Sequence, residues 1–186
     1  MVIGESTYLL LLGALLGERL FEVIISHLNA RRAFARGAIE YGRGHFPIMV
    51  AMHALFIASC AIESLSIVHA ISPILSTIAL AGALIAQILR YSAVIALGEQ
   101  WNTRIIVMPD APVVTHGLYR WIRHPNYLAV VIEIAAVPLI RGCWITAVTF
   151  SLANAVMLAV RIPAEERALQ SLPEPEIGAI VPRDSE

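Results

Sequence analysis

Two polar segments in an otherwise apolar chain carry the residue types from which an active site can be built. The first, GLYRWIRHPNY, covers residues 117–127, and the second, RIPAEERAL, covers residues 161–169. They supply arginine, histidine, tyrosine and carboxylate side chains next to long apolar runs. Such a set can bind a polar cofactor while an apolar substrate arrives from the lipid.

The first segment has the pattern of a helix N-terminus. Pro125 suits the first helical position because it has no amide hydrogen to leave unbonded, and His124 then falls at the cap. The free amides of such a helix end, with Arg120 and Arg123 beside them, favour a small anion such as an amino-acid carboxylate. The alternative is that the arginines only anchor the helix at the lipid headgroups.

In the second segment, Arg161 and Glu165 are four residues apart. On a helix this spacing places them on one face, although Pro163 between them can bend the helix. Spacing alone leaves two interpretations open, a plain surface ion pair and a functional pair.

The composition explains what must surround these segments. The chain has 186 residues, of which 58% are hydrophobic and 15% charged, and its mean hydropathy is +0.74. A water-soluble domain cannot bury so much apolar surface, so most of it must face lipid.

The net charge of -1 and the scattered arginines make nucleic acid an unexpected partner. Cys60 and Cys143 lie in apolar stretches without metal-ligand spacing, and no metal site is expected.

Five apolar runs predict an all-α polytopic membrane protein with about five transmembrane helices. The runs are residues 6–26, 46–68, 73–97, 125–140 and 144–160. We expect one transmembrane domain over residues 1–169, with the cofactor site within 98–169, and a loosely ordered cytoplasmic tail over 170–186. With five spans, the arginine-rich loops and the tail share one side, so the positive-inside rule places the N-terminus outside and the C-terminus in the cytoplasm.

Ionisable residues inside the spans need a partner or a polar cavity. Arg19 and Glu22 are one helical turn apart, which with Glu18 predicts a local ion pair near the cytoplasmic end of the first span. Glu63 lies near the outer end of the second span, where its carboxylate is expected to reach headgroups without a further role. Glu133 lies two turns into the fourth span, where only a bundle interior or an aqueous cavity would tolerate it.

The runs LGEQWN, VVTHGLYRWIRHPNY and RIPAEERAL resemble the isoprenylcysteine carboxyl methyltransferase family, over about the C-terminal half of the chain and in the manner of a small bacterial-type member. The resemblance implies S-adenosylmethionine as the methyl donor, bound at the cytoplasmic face without a glycine-rich Rossmann loop. It implies that Arg161 is catalytic and faces the reacting group of the substrate. The implied cofactor-binding residues are Arg104, Val113, Val114, Tyr119, His124, Pro125, Asn126, Tyr127 and Glu165.

The expected function is therefore methylation of a carboxylate or hydroxyl oxygen on a lipophilic acceptor, either isoprenylcysteine-like or a phenolic lipid or alkylpyrone. A carboxylate acceptor is ionised at neutral pH, so Arg161 need only hold it. A phenol or enol would gain from a nearby cation, which lowers its pKa. Two other classes stay open: a nicotinamide-dependent membrane reductase of the sterol type, because those enzymes also contain RHP, and a non-enzymatic membrane scaffold or carrier.

Overall fold

A computed structural model describes residues 3–66, 70–108, 111 and 114–170 of the chain. Within these ranges the protein folds into five helices and one small antiparallel sheet. The helices are α1 (Glu5–Ala35), α2 (His45–Ser66), α3 (Pro73–Leu97), α4 (Pro125–Leu139) and α5 (Trp144–Gln170), and the strands are β1 (Ile39–Tyr41) and β2 (Ile105–Val107). Single turns of 3₁₀ helix at Gly98–Gln100 and Gly117–Arg120 interrupt the long connection between α3 and α4.

Three of the helices in the described ranges, α2, α3 and α5, are long and apolar enough to cross a membrane. The fourth helix is apolar but has only 15 residues, and α1 has 31 residues with charged side chains along its length. Large apolar side chains such as Leu10, Ile74 and Ile95 point outward and are 74–79% exposed. Such an exterior fits lipid and not water, so the membrane character is confirmed, while a crossing by α1 and α4 stays a prediction.

Two helices extend further than the apolar pattern predicts. The first helix continues past residue 26 to Ala35, and α5 continues through Pro163 to Gln170. The extended end of α5 packs Ala168 against Ile105 and Val107 of β2, and this contact stabilises a helical turn that hydropathy alone does not indicate.

The sheet itself departs from a purely helical prediction. Its strands come from the loop after α1 and the loop after α3, and Ile39, Glu40 and Tyr41 pair with Val107, Ile106 and Ile105. Each strand has three residues, too short for a periodic pattern in the sequence. The pairing ties two loops together that are more than 60 residues apart, so it depends on the tertiary fold.

The helices meet at two chemically different ends. The end that carries the sheet, where α1, α3 and α5 finish and α2 and α4 begin, is called the polar end below. Toward the opposite end lies an apolar core built on Tyr8, Leu12, Phe56, Ile134 and Ile140. That core contains residues of α4, and the N-terminal end of the same helix carries site residues at the polar end.

Glu63 belongs to the opposite end and corrects the sequence interpretation. Its carboxylate is buried and accepts hydrogen bonds from the amides of Ile145 (3.1 Å) and Thr146 (2.8 Å) and from the Thr146 hydroxyl (2.6 Å). The expected reach to lipid headgroups is therefore wrong. The carboxylate caps the start of α5, because unbonded amides and the helix dipole there stabilise a negative charge.

Candidate active site

One cavity of about 660 Å³ joins the polar end to the apolar interior of the bundle. Its outer part, the polar mouth, is formed by the loop after α3, the start of α4 and the end of α5. Its inner part, the inner chamber, lies between α1, α2, α3 and α5. The predicted site residues that line it are Arg104, Val114, Tyr119, His124, Asn126, Tyr127, Arg161 and Glu165. Pro125 is buried behind this wall, and Val113 lies outside the described residues.

His124 joins the two predicted segments. It is the N-cap of α4, with Pro125 at the first helical position, as the sequence predicted. Its Nε2 lies 3.4 Å from Oε1 of Glu166, and its Nδ1 lies 3.8 Å from Oε1 of Glu165. The start of α4 and the end of α5 therefore touch across the polar mouth, where the His124 side chain remains 18% exposed.

Arg161 and Glu165 each contact a residue other than the partner that their spacing predicts. The Tyr127 hydroxyl donates a short hydrogen bond to Oε2 of Glu165. Arg161 donates from Nη2 to the backbone carbonyl of Thr103 (2.9 Å), and its buried Nε has no hydrogen-bond partner in the described part of the chain. The plain ion-pair interpretation thus does not account for these residues, and one donor of the buried guanidinium has an unmet hydrogen-bonding capacity.

The loop that holds Arg161 is itself held by α1. The Ser26 hydroxyl lies 2.7 Å from both Oδ1 of Asn102 and the hydroxyl of Thr103. Asn29, one turn further along, donates to the backbone carbonyl of Trp101 (2.9 Å). Ser26 and Asn29 were not among the candidate residues. With Arg19 and Glu22 they form a polar stripe at helical spacing on one face of α1. That stripe is the sequence pattern from which Ser26 and Asn29 could have been identified.

Two further predicted residues form other parts of the wall. The guanidinium of Arg104 lies 4.8 Å from the centre of the Phe46 ring and 3.9 Å from Oε2 of Glu40. Burial, with a contribution from the Glu165 carboxylate, raises the pKa of Tyr119 to about 12. Tyr119 is therefore a neutral hydroxyl at physiological pH and can donate a hydrogen bond into the cavity.

The arginines beside His124 differ in position. Arg123 lines the cavity and lies 3.7 Å from Glu166, although its side chain is 85% exposed. Arg120 instead stacks on the exposed ring of Trp121, 5.3 Å from its centre. A stacked arginine and tryptophan at the surface fit the headgroup alternative, so of these two arginines only Arg123 can contribute to an anion site at the mouth.

A second polar group lies deeper, at the inner chamber. Glu18, Arg19 and Glu22 of α1, Arg90 of α3 and Glu133 of α4 form what we call the buried charge cluster. Arg90 contacts Glu133 at 2.9 Å, Arg19 contacts Glu22 at 2.7 Å, and Arg90 reaches Glu22 at 3.7 Å. The predicted Arg19–Glu22 pair and the interior position of Glu133 are confirmed.

The cluster is nevertheless not local to α1. It joins three helices, and the side chains of Arg90 and Glu133 are only 3% exposed. Arg90 was not among the candidate residues, although a single arginine inside the apolar run of α3 is a signal that Glu133 has a buried partner.

Comparison with known proteins shows the family of the chain. The sequence profile of the isoprenylcysteine carboxyl methyltransferase (ICMT) family matches residues 77–171, more than half of the chain. The protein belongs to the ICMT family. The matched range contains most of α3, all of α4 and α5, and with them the whole polar mouth. Membership identifies the protein as a membrane methyltransferase in general terms.

Two bacterial relatives extend the match beyond that range. Uncharacterized protein YpbQ of Bacillus subtilis is 41% identical over 161 residues, covering 87% of this chain and 95% of the relative. An uncharacterized protein of Haemophilus influenzae is 28% identical over 159 residues, covering 85% and 92%. The ICMT profile begins within α3, so the cluster residues of α1 lie outside it, whereas Arg90 and Glu133 lie within it.

Proposed function

We propose that the protein transfers a methyl group from S-adenosylmethionine to an oxygen atom of a lipophilic acceptor. The observation that carries this proposal is the meeting of α4 and α5 at one cavity. His124 and Tyr127 from one segment contact Glu165 from the other, with Arg161 buried beside them. The same cavity continues into an apolar chamber, so a polar cofactor and an apolar acceptor can approach each other from opposite sides.

The chemistry of the mouth fits the proposed cofactor. S-adenosylmethionine carries an ammonium, a carboxylate and a sulfonium, which need acceptors, donors and nearby negative charge. Glu165 and Glu166 supply carboxylates, and Arg123 supplies a guanidinium at the edge of the cavity. Oδ1 of Asn126 is buried and has no hydrogen-bond partner among the described residues, so it can accept a bond from a ligand. The volume of about 660 Å³ lies in the range of small-molecule sites, roughly 300–1,000 Å³.

The residues of the chain position the reactants and stabilise charge. When bound, the cofactor supplies a methyl group on a positively charged sulfur. His124, Asn126 and Glu165 would hold its polar end at the mouth. Arg161, fixed by the Thr103 carbonyl, would hold the oxygen of the acceptor with its remaining donors. Positioning and a fixed positive charge are the main contributions an enzyme makes to such a transfer.

The inner chamber supports a lipophilic acceptor. Its wall contains apolar side chains from α1 and α2, namely Leu16, Leu20, Val23, Met49, Val50, Ala54 and Ile57. These residues lie in the apolar part of the bundle, where a lipid tail finds a matching environment. An isoprenylcysteine-like carboxylate, a phenolic lipid and an alkylpyrone all combine such a tail with a reactive oxygen.

The distribution of arginine supports a cytoplasmic site. Within the described ranges, the polar end carries Arg31, Arg32, Arg36, Arg43, Arg104, Arg120, Arg123, Arg161 and Arg167, whereas Arg141 lies at the opposite end. The positive-inside rule then places the polar end and the C-terminus in the cytoplasm, and an odd number of crossings places the N-terminus outside.

The test uses the full chain, purified in detergent. It is incubated with radiolabelled S-adenosylmethionine and a panel of prenylated thioether carboxylates, long-chain phenols and alkylpyrones. We expect label in at least one lipophilic product and binding of S-adenosylhomocysteine, but not of NADPH, by calorimetry. Binding of NADPH in place of S-adenosylhomocysteine, or no binding of either, would overturn the proposal.

A further inference from the structure

The buried charge cluster has no part in the function as proposed above. Three carboxylates face two guanidinium groups, so the cluster has a formal charge of -1. Burying ions is costly, and a well-packed apolar set often stabilises a bundle equally well. Ionisable groups kept inside a membrane protein usually line a path or a site, and this cluster does border the cavity through Arg19, Glu22 and Arg90.

Glu22 differs from the other two carboxylates of the cluster. It lines the cavity, whereas Glu18 and Glu133 are not among the described residues of the wall. Its Oε2 contacts Arg19 at 2.7 Å and Arg90 at 3.7 Å. Its Oε1 is buried and has no hydrogen-bond partner in the described ranges, while the residue as a whole is 9% exposed. This buried oxygen therefore has an unmet hydrogen-bonding capacity in a residue that lines the cavity, and a donor on a ligand would satisfy it.

A chain of contacts also links the helical turn after Glu22 to Arg161. Ser26 follows Glu22 by one helical turn, about 6 Å along the axis of α1. The Ser26 hydroxyl lies 2.7 Å from the hydroxyl of Thr103, whose carbonyl accepts the hydrogen bond from Arg161. Glu22 and Arg161 thus line the same cavity, Glu22 from α1 and Arg161 from α5, so the head of an acceptor held by Arg161 lies in the cavity that Glu22 borders.

We propose that Glu22 accepts the proton of a hydroxyl group on the acceptor during methyl transfer, and that the acceptor is accordingly a phenol or enol. This inference rests on the proposed function. In the transfer the acceptor O–H bond breaks and its proton passes to Oε1 of Glu22. The oxygen forms a bond to the methyl carbon, and the carbon–sulfur bond breaks with its electron pair left on sulfur, giving a neutral thioether.

The unpaired oxygen of Glu22 explains why a hydroxyl suits this wall better than a carboxylate does. A carboxylate acceptor is ionised at neutral pH and has no proton to give. A hydroxyl instead offers a donor to Oε1 of Glu22, and Arg19 and Arg90 hold that carboxylate in place.

The experiment compares two acceptor classes in one variant. Wild type and Glu22→Gln are assayed with a long-chain alkylphenol and with a prenylated thioether carboxylate. For the alkylphenol we expect the rate of Glu22→Gln to fall by about 10²–10⁴-fold, the usual contribution of a general base. Affinity for S-adenosylhomocysteine and any rate with the carboxylate should be unchanged. An unchanged rate with the alkylphenol, or a wild type that methylates only the carboxylate, would overturn the inference.

Glu18→Gln is the matched control. It removes the same charge from the same cluster, but its side chain is not part of the described cavity wall. We expect it to keep the rate with the alkylphenol. An equal loss in Glu18→Gln and Glu22→Gln would show that the cluster acts only through the packing of α1, and would refute the role of Glu22.

A third variant covers the case in which Glu22→Gln loses its fold, seen as loss of thermal stability and of S-adenosylhomocysteine binding. Glu22→Asp keeps the charge but withdraws the carboxylate by one methylene, and misplacement by about 1 Å can reduce a rate by about 10²-fold. A full rate in that variant counts against the proposal. If the wild type neither binds S-adenosylhomocysteine nor methylates either acceptor, the proposed function itself fails and this inference fails with it.

Discussion

The polar mouth and the buried charge cluster contain the same kinds of side chain but use them differently. At the mouth, His124, Glu165 and Glu166 are 18–35% exposed and 3.4–3.8 Å apart. In the cluster, Arg90 and Glu133 are 3% exposed and 2.9 Å apart. Long contacts near water are worth little and can be exchanged for a ligand, whereas short contacts between buried ions are costly to break.

The two regions therefore have different roles within one cavity. Side chains at the mouth can turn toward a cofactor that enters from water. Those of the cluster keep a fixed arrangement, in which one buried oxygen of Glu22 has no hydrogen-bond partner among the described residues. Substitution of Arg90 or Glu133 in the cluster should therefore change stability first, and substitutions at the mouth should change binding and rate first.

The largest effect is expected from Arg90→Met. It leaves Glu133 without its 2.9 Å partner inside the bundle, and breaking a buried pair costs about 3–5 kcal/mol. Thermal unfolding in detergent measures the loss. The double variant Arg90→Met with Glu133→Leu should recover most of it, because both ions are then removed. A loss of stability no larger than that expected for an exposed ion pair would contradict the difference between the two regions.

Arg161→Ala should come next, now in rate. Removal of one charge-stabilising donor lowers kcat by about 10²–10³-fold, with binding of S-adenosylhomocysteine kept. Steady-state assays and calorimetry separate the two quantities. Arg167→Ala, on the same helix but exposed and bonded to the Pro163 carbonyl, is the control and should behave like wild type. A full rate in Arg161→Ala would show that Arg161 does not act in methyl transfer.

Glu165→Ala and His124→Ala should weaken cofactor binding more modestly. A hydrogen bond to a charged group contributes about 1.5–3 kcal/mol, or roughly 10–100-fold in Kd. Titration calorimetry with S-adenosylhomocysteine gives the value directly. Glu5→Ala, at the opposite end and 53% exposed, serves as a control for charge removal. Unchanged affinity in both variants would show that the polar mouth does not bind the cofactor.

The smallest effect is expected from Arg123→Ala. Its side chain is 85% exposed and 3.7 Å from Glu166, and such surface pairs contribute about 0–1 kcal/mol. Thermal unfolding should hardly change, and any effect on cofactor affinity should shrink as salt is added. A loss of stability as large as that of Arg90→Met would mean that exposure does not distinguish the two regions.

How well the sequence predicted a feature depends on whether neighbouring or distant residues set that feature. The start of α4 at His124 and Pro125 was predicted because capping and proline geometry act over a few neighbouring residues. The three-residue strands and the extension of α5 were not, because they depend on contacts between distant loops. The role of Glu63 was mistaken for the same reason, since the amides that it caps come more than 80 residues later.

The sequence by itself determined that the protein is a membrane protein of helices, that a polar site lies at one end, and which two segments build it. These properties depend on hydropathy, on helix caps and on short motifs, which are local. Only the tertiary structure decided that Arg90 pairs with Glu133, that Thr103 fixes Arg161, and that one cavity connects the mouth to Glu22. Such partners lie on different helices, and the packing of those helices is set by the sum of many weak contacts rather than by any pattern along the chain.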